Sequence, residues 1–313
     1  MIAQLALLVS LLGNVNEEKV LINHILEAKT EKHWILDRKS DKNVVSIAAT
    51  GVGFYAYARA AKLGMISRED ASKWINDGFM SMIGVNFEND GWLYHFVDRT
   101  GKPYEESEVS SIDSVIFYLG AERAAQELGE PVLIDYVRKC KGKISTAVML
   151  DKDGYFYHGW TMENGRRNML KYKWRNYSEG ILIYRYFDLT FKPVYTHYDL
   201  PLFVYFYPLA FYPEERSWVD NLGKAIDYQL SITGHFGYTA CDGPNGYQVN
   251  TPYIISPLAI FSCKKFFPAK VEKELNKRSA PWSVQAITVN HSWQTGDRVL
   301  MDDGMALMLM KGK

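Results

Sequence analysis

Two kinds of helical segment roughly alternate along this chain, and this alternation restricts the fold more than any other feature. One kind is amphipathic, with apolar side chains recurring at helical spacing, as in residues 67–82, 214–230 and 270–277. The other kind is apolar nearly all round: 46–64, 110–129, 179–187, 251–261 and 303–310. A helix that is apolar on every side is buried. The sequence therefore predicts an all-α fold in which an outer ring of helices surrounds an inner ring, an α/α toroid.

Strand signals are scarce and local. Residues 91–106 and 153–160 have turns at Thr100–Gly101 and Asp153–Gly154, which predicts short β-hairpins inserted between helices. The chain has no low-complexity linker and no block of like charges. We therefore expect residues 1–313 to form a single domain.

The chain opens with an apolar stretch, MIAQLALLVSLLG. The stretch is too short to span a bilayer, and it lacks both a basic flank and a clear cleavage site. We interpret it as a first helix, with a degenerate signal peptide as the alternative. No other stretch of the sequence has a transmembrane pattern.

The charge balance and the aromatic content bear on the ligand. Lys plus Arg and Asp plus Glu number 36 each, so the formal net charge is zero, which argues against a nucleic-acid partner. A neutral ligand fits better, and the 21 tyrosines and 8 tryptophans offer flat apolar faces that suit sugar rings. Ordinary core aromatics are the alternative explanation. The three cysteines, Cys140, Cys241 and Cys263, form no zinc-binding pattern, so no metal or other cofactor is predicted.

Acidic and hydroxyl side chains stand at or near the starts of several predicted inner helices. They are Ser46, Glu108, Asp113, Ser178, Glu179, Asp302 and Asp303. In a toroid of helical hairpins the inner helices run in the same direction, so their starts gather at one end of the barrel. Each acid could simply cap its own helix. For the set of Glu108, Glu179 and Asp242, with aromatic residues around them, we favour a functional cluster over separate caps.

Six short blocks occur in one order along the chain: SIAATG (46–51), GWLYHFVD (91–98), SEVSSID (107–113), YSEG (177–180), TACDGPNGY (239–247) and MDDGMALML (301–309). Together they resemble the glycoamylase-like family, which includes the endo-β-1,2-glucanases and the glycosidase-like domain of cyclic β-1,2-glucan synthases. The resemblance runs from about residue 34 to the C-terminus. It implies an (α/α)6 barrel, in agreement with the helix pattern. It also implies a glycoside hydrolase or transglycosylase, with a neutral glucan, β-1,2-linked, as the expected substrate.

The chain departs from the family between Glu179 and Asp242, where it is shorter than typical members. An aromatic and histidine-containing run that precedes a tryptophan in the family is replaced here by PLFVYFYPLAFYPEE (201–215). Substrate-subsite residues from that region are therefore not carried over. Cys241 stands where a small residue such as serine is common, and we interpret it as a structural substitution.

Glycoside hydrolysis needs two carboxyl groups astride the bond, one protonated and the other ionised. Glu179 is the predicted general acid, because the apolar helix after it should desolvate its carboxyl group and raise the pKa. The resemblance places the family's acid on the same residue. Glu108 is the candidate nucleophile if the enzyme retains configuration, and Asp242 is the candidate base if it inverts. Glu105 and Asp113 are second choices that we place with the substrate-binding residues, and Asp113 is expected to orient its neighbours.

The predicted sugar-binding wall is mainly aromatic. Its members are Trp92, Tyr94, His95, Trp160, Trp174, Tyr177 and Tyr247. His95 is flanked by aromatic residues on a predicted strand, and a histidine in such a place is more often a hydrogen-bonded structural residue than a catalyst.

Two other functions remain open. A polysaccharide lyase on the same toroid could use Tyr94 and His95, although zero net charge and an acidic cluster disfavour the anionic uronates on which lyases act. A non-catalytic glycan-binding or virion-associated module is the other alternative, and the presence of both Glu108 and Glu179 counts against it.

The expected substrate bears on location. Glucan hydrolases usually meet their substrate outside the cytoplasm, so we expect extracellular or periplasmic action. Because no convincing signal peptide is visible, either a leader has been removed or the protein leaves the cell by another route, such as a phage particle released by lysis.

Overall fold

The structure is a computed structural model that describes residues 16–86, 89–249, 251–278 and 280–311. The apolar opening stretch that we predicted to be the first helix lies outside the described residues. The α-helices of the described ranges are α1 (16–27), α2 (Ile47–Lys62), α3 (Arg68–Val85), α4 (Ser111–Leu128), α5 (Pro131–Lys141), α6 (Ile181–Tyr186), α7 (Phe203–Phe211), α8 (Arg216–Thr233), α9 (Pro257–Ser262), α10 (Pro268–Leu275) and α11 (Leu300–Lys311).

The described helices are of two kinds, and the two kinds alternate. Nearly all residues of α2, α4, α6, α7, α9 and α11 are buried, whereas α1, α3, α5, α8 and α10 each expose one face. The one break in this alternation is the connection between α6 and α7, because residues 188–202 contain no helix. This confirms the predicted inner and outer rings. The absent outer helix falls in the stretch between Glu179 and Asp242 that the sequence analysis found to be short.

Contacts between the buried helices follow the inner ring. α11 packs against α9 on one side and α2 on the other, α2 packs against α4, and α4 packs against α6. All five segments predicted to be buried contain one of these helices, although the segment 251–261 is divided between a short strand and α9. Three helices were not predicted: α1, α5 and α7. The last of these has Pro208 in its interior, a residue that normally argues against a helix.

Serine side chains begin several helices. Oγ of Ser46, Ser67, Ser110 and Ser256 each accepts the backbone N–H of the residue three positions on, at the starts of α2, α3, α4 and α9. Each such cap is worth about 1 kcal/mol. Three of these caps directly follow or end a short strand and open an inner helix. The short strands that adjoin these three caps therefore lie at the end of the barrel where the inner helices begin.

The contact between α2 and α4 depends on glycine. A Cβ atom on Gly120 would lie 2.3 Å from the backbone carbonyl carbon of Gly51, and a Cβ on Gly51 would lie 2.4 Å from Cα of Phe117. No side chain fits at such distances, so the two inner helices approach through their backbones. This close approach packs the second turn of α2 against the middle of α4.

The strands are short and antiparallel. They are β1 (Val44–Ser46), β2 (Leu93–Tyr94), β3 (Phe96–Asp98), β4 (Val109–Ser110), β5 (Gly159–Glu163), β6 (Arg166–Met169), β7 (Cys241–Gly243), β8 (Gly246–Gln248), β9 (Ile254–Ile255), β10 (Ala286–Thr288) and β11 (Gln294–Thr295). In the described residues they form small sheets with the orders β1-β3, β2-β4-β5-β6, β7-β8 and β11-β10-β9.

The predicted hairpins are formed only in part. Residues 91–106 are divided between two sheets, because β2 pairs with β4 whereas β3 pairs with β1. The turns at Thr100–Gly101 and Asp153–Gly154 are present. The hairpin of β5 and β6 was not predicted. It turns at Asn164–Gly165, where φ is 50° and 72°, the left-handed conformation that an Asn-Gly pair adopts readily.

One connected hydrophobic core contains buried side chains from every helix between α1 and α11. This agrees with the expectation of a single domain, which stays a prediction. None of the helices in the described ranges combines the length and the apolar composition that a membrane crossing requires.

Candidate active site

A cavity of about 510 Å³ opens at the end of the barrel where the inner helices begin. Residues at or next to the starts of α2, α4, α6, α7 and α11 line it, so the expectation that these starts gather at one end holds. Its ionisable lining consists of Asp37, Arg38, His95, Asp113, Glu179 and Asp302, and its aromatic lining of Phe96, Phe203, Tyr207 and Tyr247.

Glu179 stands just before α6 and does not cap it, because no side chain makes a capping hydrogen bond to this helix. The next residue must be glycine, since a Cβ on Gly180 would lie 2.3 Å from the ring of Trp174. Part of Glu179 reaches the surface, but its carboxyl oxygen Oε2 is buried and has no hydrogen-bond partner among the described residues. Burial, with a smaller effect from the charge of Asp113, raises the pKa of Glu179 to about 7.

Asp113 occupies the first turn of α4 and lines the cavity. The hydroxyl of Ser110 donates to its Oδ2, and the backbone N–H of Asp113 donates back to that hydroxyl at 3.3 Å. Burial raises the pKa of this carboxyl, and the charge of His95 opposes the effect of burial. Two carboxyl groups, Asp113 and Glu179, therefore face the same cavity and influence one another.

Asp302 is a third buried carboxylate in the lining. It accepts hydrogen bonds of 2.7 Å from Tyr207 Oη and from Gln285 Nε2, and burial raises its pKa to about 6. The adjacent Asp303 differs, because Arg298 forms an ion pair with it. Of the two neighbouring acids, Asp302 is therefore the one that faces the cavity without a cationic partner of its own in the described residues.

Glu108 and Asp242 are not among the residues that line this cavity, but each contacts a residue that is, and their place in the site stays a prediction. Oε1 of Glu108 lies 3.1 Å from Nδ1 of His95, and Asp242 forms an ion pair with Nη1 of Arg38. Burial acts to raise the pKa of Glu108, but the hydrogen bond and charge of His95 outweigh it and hold that pKa below its usual value. Each carboxylate is thus partly exposed and directly contacts a residue of the lining.

Asp37 and Arg38 belong to the site and were missed by the sequence analysis. Arg38 Nε lies 3.3 Å from Asp37 Oδ2, and the guanidinium carbon lies 5.5 Å from the centre of the Tyr247 ring. The backbone of Asp37 is fixed by hydrogen bonds to Val44 and Leu300. The only signal in the sequence was a charged pair directly after the apolar run WIL, and such a pair is common on any surface.

Most of the predicted sugar-binding wall is not in the cavity. Trp92 and Trp160 are fully buried in the core, and Trp174 and Tyr177 are nearly so. Tyr94 is partly buried and packs against the core, and Glu105 is exposed. Of the predicted substrate-binding residues, His95, Asp113 and Tyr247 line the cavity. Tyr247 is 58% exposed, so its ring stands at the mouth.

The described residues contain no group of three or more histidine, cysteine, aspartate or glutamate side chains arranged to hold a metal ion. The three cysteines are free and buried. The ionisable side chains that line the cavity are carboxyl groups, one histidine, one arginine and two tyrosines.

The fold and the cavity define a class, an (α/α)6 barrel with short β-hairpins and an acidic cavity where the inner helices begin. Within that class, the chain is similar to a candidate glucoamylase from Bacteroides uniformis, with 13% identity over 95% of this chain and 91% of that chain and a TM-score of 0.76. It is also similar to the endo-β-1,2-glucanase of Chitinophaga pinensis in complex with sophorotriose and glucose, with 14% identity, coverage of 95% and 91%, and a TM-score of 0.73. A third similar structure is the endo-β-1,2-glucanase of Talaromyces funiculosus with sophorose, with 11% identity, coverage of 95% and 83%, and a TM-score of 0.68.

No protein-family model matches the chain, and no curated protein matches its sequence. At such low identities the structural similarity establishes the fold, and the activity has to be argued from the site. The predicted toroid is confirmed, and the similar structures include endo-β-1,2-glucanases, as the sequence resemblance indicated.

Proposed function

We propose that this chain is a glycoside hydrolase or transglycosylase that cleaves a β-1,2-linked glucan, with Glu179 as general acid. The observation that carries the proposal is the state of Glu179: its buried oxygen has no partner in the described residues, its pKa is about 7, and it faces a cavity lined by other carboxylates. A carboxyl group that stays protonated near neutral pH beside ionised ones is the arrangement that glycoside hydrolysis requires. The two endo-β-1,2-glucanases of similar fold support the choice of substrate.

The reaction follows from these groups. Glu179 donates its proton to the glycosidic oxygen while the bond from that oxygen to the anomeric carbon breaks. On the other side, an ionised carboxylate takes a proton from the attacking water. In the retaining alternative, the carboxylate attacks first and water then hydrolyses the glycosyl ester. Both courses consume one water. In the retaining course the acid regains its proton from that water, whereas in the inverting course the acid ends deprotonated and the base protonated, and proton exchange with the solvent resets both.

Asp113 is the partner that the cavity favours, because it lines the cavity and its charge acts on Glu179. Glu108 and Asp242, the partners proposed from the sequence, remain the alternatives, with one oxygen of each engaged by His95 and Arg38 respectively. Separation of the reacting carboxyl groups decides the stereochemistry: roughly 5–5.5 Å favours retention and roughly 6.5–9.5 Å favours inversion. Retention and inversion both remain open, and NMR of the first-formed anomer would decide between them.

The lyase alternative is disfavoured by the state of His95. Burial acts to lower its pKa, but Asp113 and Glu108 outweigh burial and raise that pKa to about 9. A histidine that is protonated at neutral pH cannot take the proton that a lyase must remove. An unsaturated product end, detected by its ultraviolet absorbance, would reverse this conclusion.

The test is incubation of the purified protein with a panel of glucans, β-1,2-glucan included, followed by chromatography of the products. We expect shorter β-1,2-linked oligosaccharides from the wild-type protein and from Glu106→Gln, a control on the exposed surface. We expect Glu179→Gln to lose activity. A protein that binds the glucan and leaves it intact would instead be a glycan-binding module. Action outside the cytoplasm remains a prediction, which fractionation of the producing cells would check.

A further inference from the structure

His95 joins Glu108 to the cavity. Its Nδ1 lies 3.1 Å from Oε1 of Glu108, and its Nε2 lies 3.8 Å from Oδ1 of Asp113. The first distance is a hydrogen bond and the second is an ion-pair distance. Of these three residues, His95 and Asp113 line the cavity and Glu108 does not.

The position of the His95 ring is fixed from several directions. Its backbone N–H donates to the carbonyl of Glu108 at 2.8 Å, and its own carbonyl accepts the N–H of Ile47 at the start of α2 at 3.2 Å. The ring is stacked on Phe96, with 3.8 Å between ring centres. In this position the His95 ring has Nδ1 beside Glu108 and Nε2 beside Asp113.

We propose that Glu108 is a positioning residue: it holds the His95 ring protonated and oriented, and the ring in turn supports the ionised form of Asp113 in the cavity. This inference rests on the proposed function, since it assigns Asp113 as the partner of Glu179. It also replaces the role of nucleophile that the sequence suggested for Glu108. A carboxylate that contacts the lining through His95, with one oxygen engaged by that ring, is better suited to orient the ring than to attack a sugar.

The charges around His95 favour this arrangement. The groups that act on the ring are Asp113 and Glu108, with a weaker effect from Asp37, and all three are acidic. Together they outweigh the cost of burying a charged imidazole, which would by itself favour the neutral ring.

Other ionisable groups near His95 influence the pKa values of the neighbouring carboxyl groups. Besides His95, Glu108 is influenced by His158, whose pKa burial lowers to about 4, so that the ring of His158 is neutral near pH 7. Asp113, which lines the same cavity, acts on Glu179. Removing the charge of Glu108 would therefore lower the pKa of His95. A less fully protonated His95 would then favour the ionised form of Asp113 less strongly.

The first measurement is an NMR titration of isotope-labelled histidine side chains in the wild-type protein and in Glu108→Gln. The chain has 7 histidines, and His95→Gln assigns the relevant resonance. We expect His95 to titrate well above neutral pH in the wild-type protein and about 1–2 pH units lower in Glu108→Gln, the size expected from losing one charged neighbour. An unchanged His95 titration would overturn the proposal. Glu106→Gln is the matched control, because it removes a neighbouring exposed carboxylate.

The second measurement is a double-mutant cycle on glucan cleavage with Glu108→Gln, His95→Gln and the double variant. If Glu108 acts through His95, the double variant should be no slower than His95→Gln alone. A nucleophile would instead cause a further loss of several orders of magnitude in the His95→Gln background, and this would overturn the proposal. An inactive wild-type protein would contradict the proposed function, and the titration would still decide whether Glu108 controls the charge of His95. If His95→Gln fails to fold, the His95 resonance is assigned by replacing the other histidines one at a time, and the titration of wild type against Glu108→Gln remains decisive.

Discussion

The pH dependence of folding stability should reveal whether Glu179 is protonated in the folded cavity. The perturbation is Glu179→Gln, which keeps the side-chain shape and removes the ionisable group. Burial, helped by the charge of Asp113, raises the pKa of Glu179 from 4.5 to about 7. Between these values the folded protein keeps a proton that the unfolded chain has lost. The wild-type protein should therefore lose stability as the pH rises through this window.

The size of the effect follows from the shift. From 4.5 to 7 is 2.5 pKa units. At about 1.36 kcal/mol per unit, the difference amounts to about 3 kcal/mol, an upper figure because part of the residue reaches the surface. We compare the free energy of unfolding of Glu179→Gln with that of the wild-type protein. The variant's value minus the wild-type value should rise by up to this amount between about pH 4 and about pH 8. Any fixed cost of burying the glutamine amide is independent of pH and leaves this rise unchanged.

The assay is urea unfolding followed by tryptophan fluorescence at closely spaced pH values. Glu106→Gln controls for the loss of one surface carboxylate. Glu108→Gln should behave in the opposite sense, because the pKa of Glu108 is lowered: the wild-type protein should hold an advantage over this variant above the ordinary glutamate pKa and lose it as the pH falls. If the difference for Glu179→Gln does not change with pH, or changes only around the ordinary pKa of 4.5, the account of Glu179 is wrong.

Other predictions concern the barrel and the rate of reaction. Gly120→Ala should lower the free energy of unfolding by roughly 1–3 kcal/mol or more, because its Cβ has no room in the contact between α2 and α4. The exposed Gly84→Ala in α3, with nothing near its Cβ, should raise it by up to about 1 kcal/mol, and urea unfolding checks both. Ser110→Ala should cost about 1 kcal/mol through loss of the cap, and it should also lower kcat, because the same hydroxyl donates to Asp113. The kcat of the wild-type enzyme should fall as the pH rises past about 7, where Glu179 loses its proton, and a pH–rate profile would show an unchanged rate there if Glu179 were not the acid.

The two rings of the toroid could be predicted because the spacing of apolar residues along each helix indicates how much of its surface is buried. Segments such as 46–64 and 110–129 have no polar face, so they could only be interior. The helix α7 was missed because Pro208 lies inside it. The β5–β6 hairpin could have been found from its Asn164–Gly165 pair, a signal that the sequence analysis overlooked.

The buried carboxyl group of Glu179 was easier to predict than its surroundings. Glu179 could be found because the residues after it are apolar and the chain must bury them, which fixes the environment of its carboxyl group. The choice between Glu108 and Asp113 depends on how α4 is rotated and on which side chain His95 engages, and neither can be determined from spacing. Asp37 and Arg38 reach the cavity through pairing of their segment with residues near α11, a contact between distant parts of the sequence.

The aromatic residues that line the cavity could not be identified from the sequence, for a different reason. Aromatic side chains serve equally well as core and as sugar platform, and the sequence does not say which side of a short strand faces inward. Trp92 and Trp160 therefore lie in the core, while Tyr247, at the turn of a hairpin, stands at the mouth of the cavity. The wall could be divided into these two groups only once the pairing of β2, β4, β5, β7 and β8 was known.

The most direct test of the central claim compares Glu179→Gln with the wild-type enzyme on two substrates that differ in their leaving group. On β-1,2-glucan, turnover should fall by about 10²–10⁴-fold, the usual contribution of positioned proton transfer. An activated aryl glycoside needs little protonation of its leaving group, so its turnover, where the enzyme accepts it, should fall much less. Equal losses on both substrates, or a variant that still cleaves the glucan at the wild-type rate, would contradict the assignment of Glu179 as the general acid.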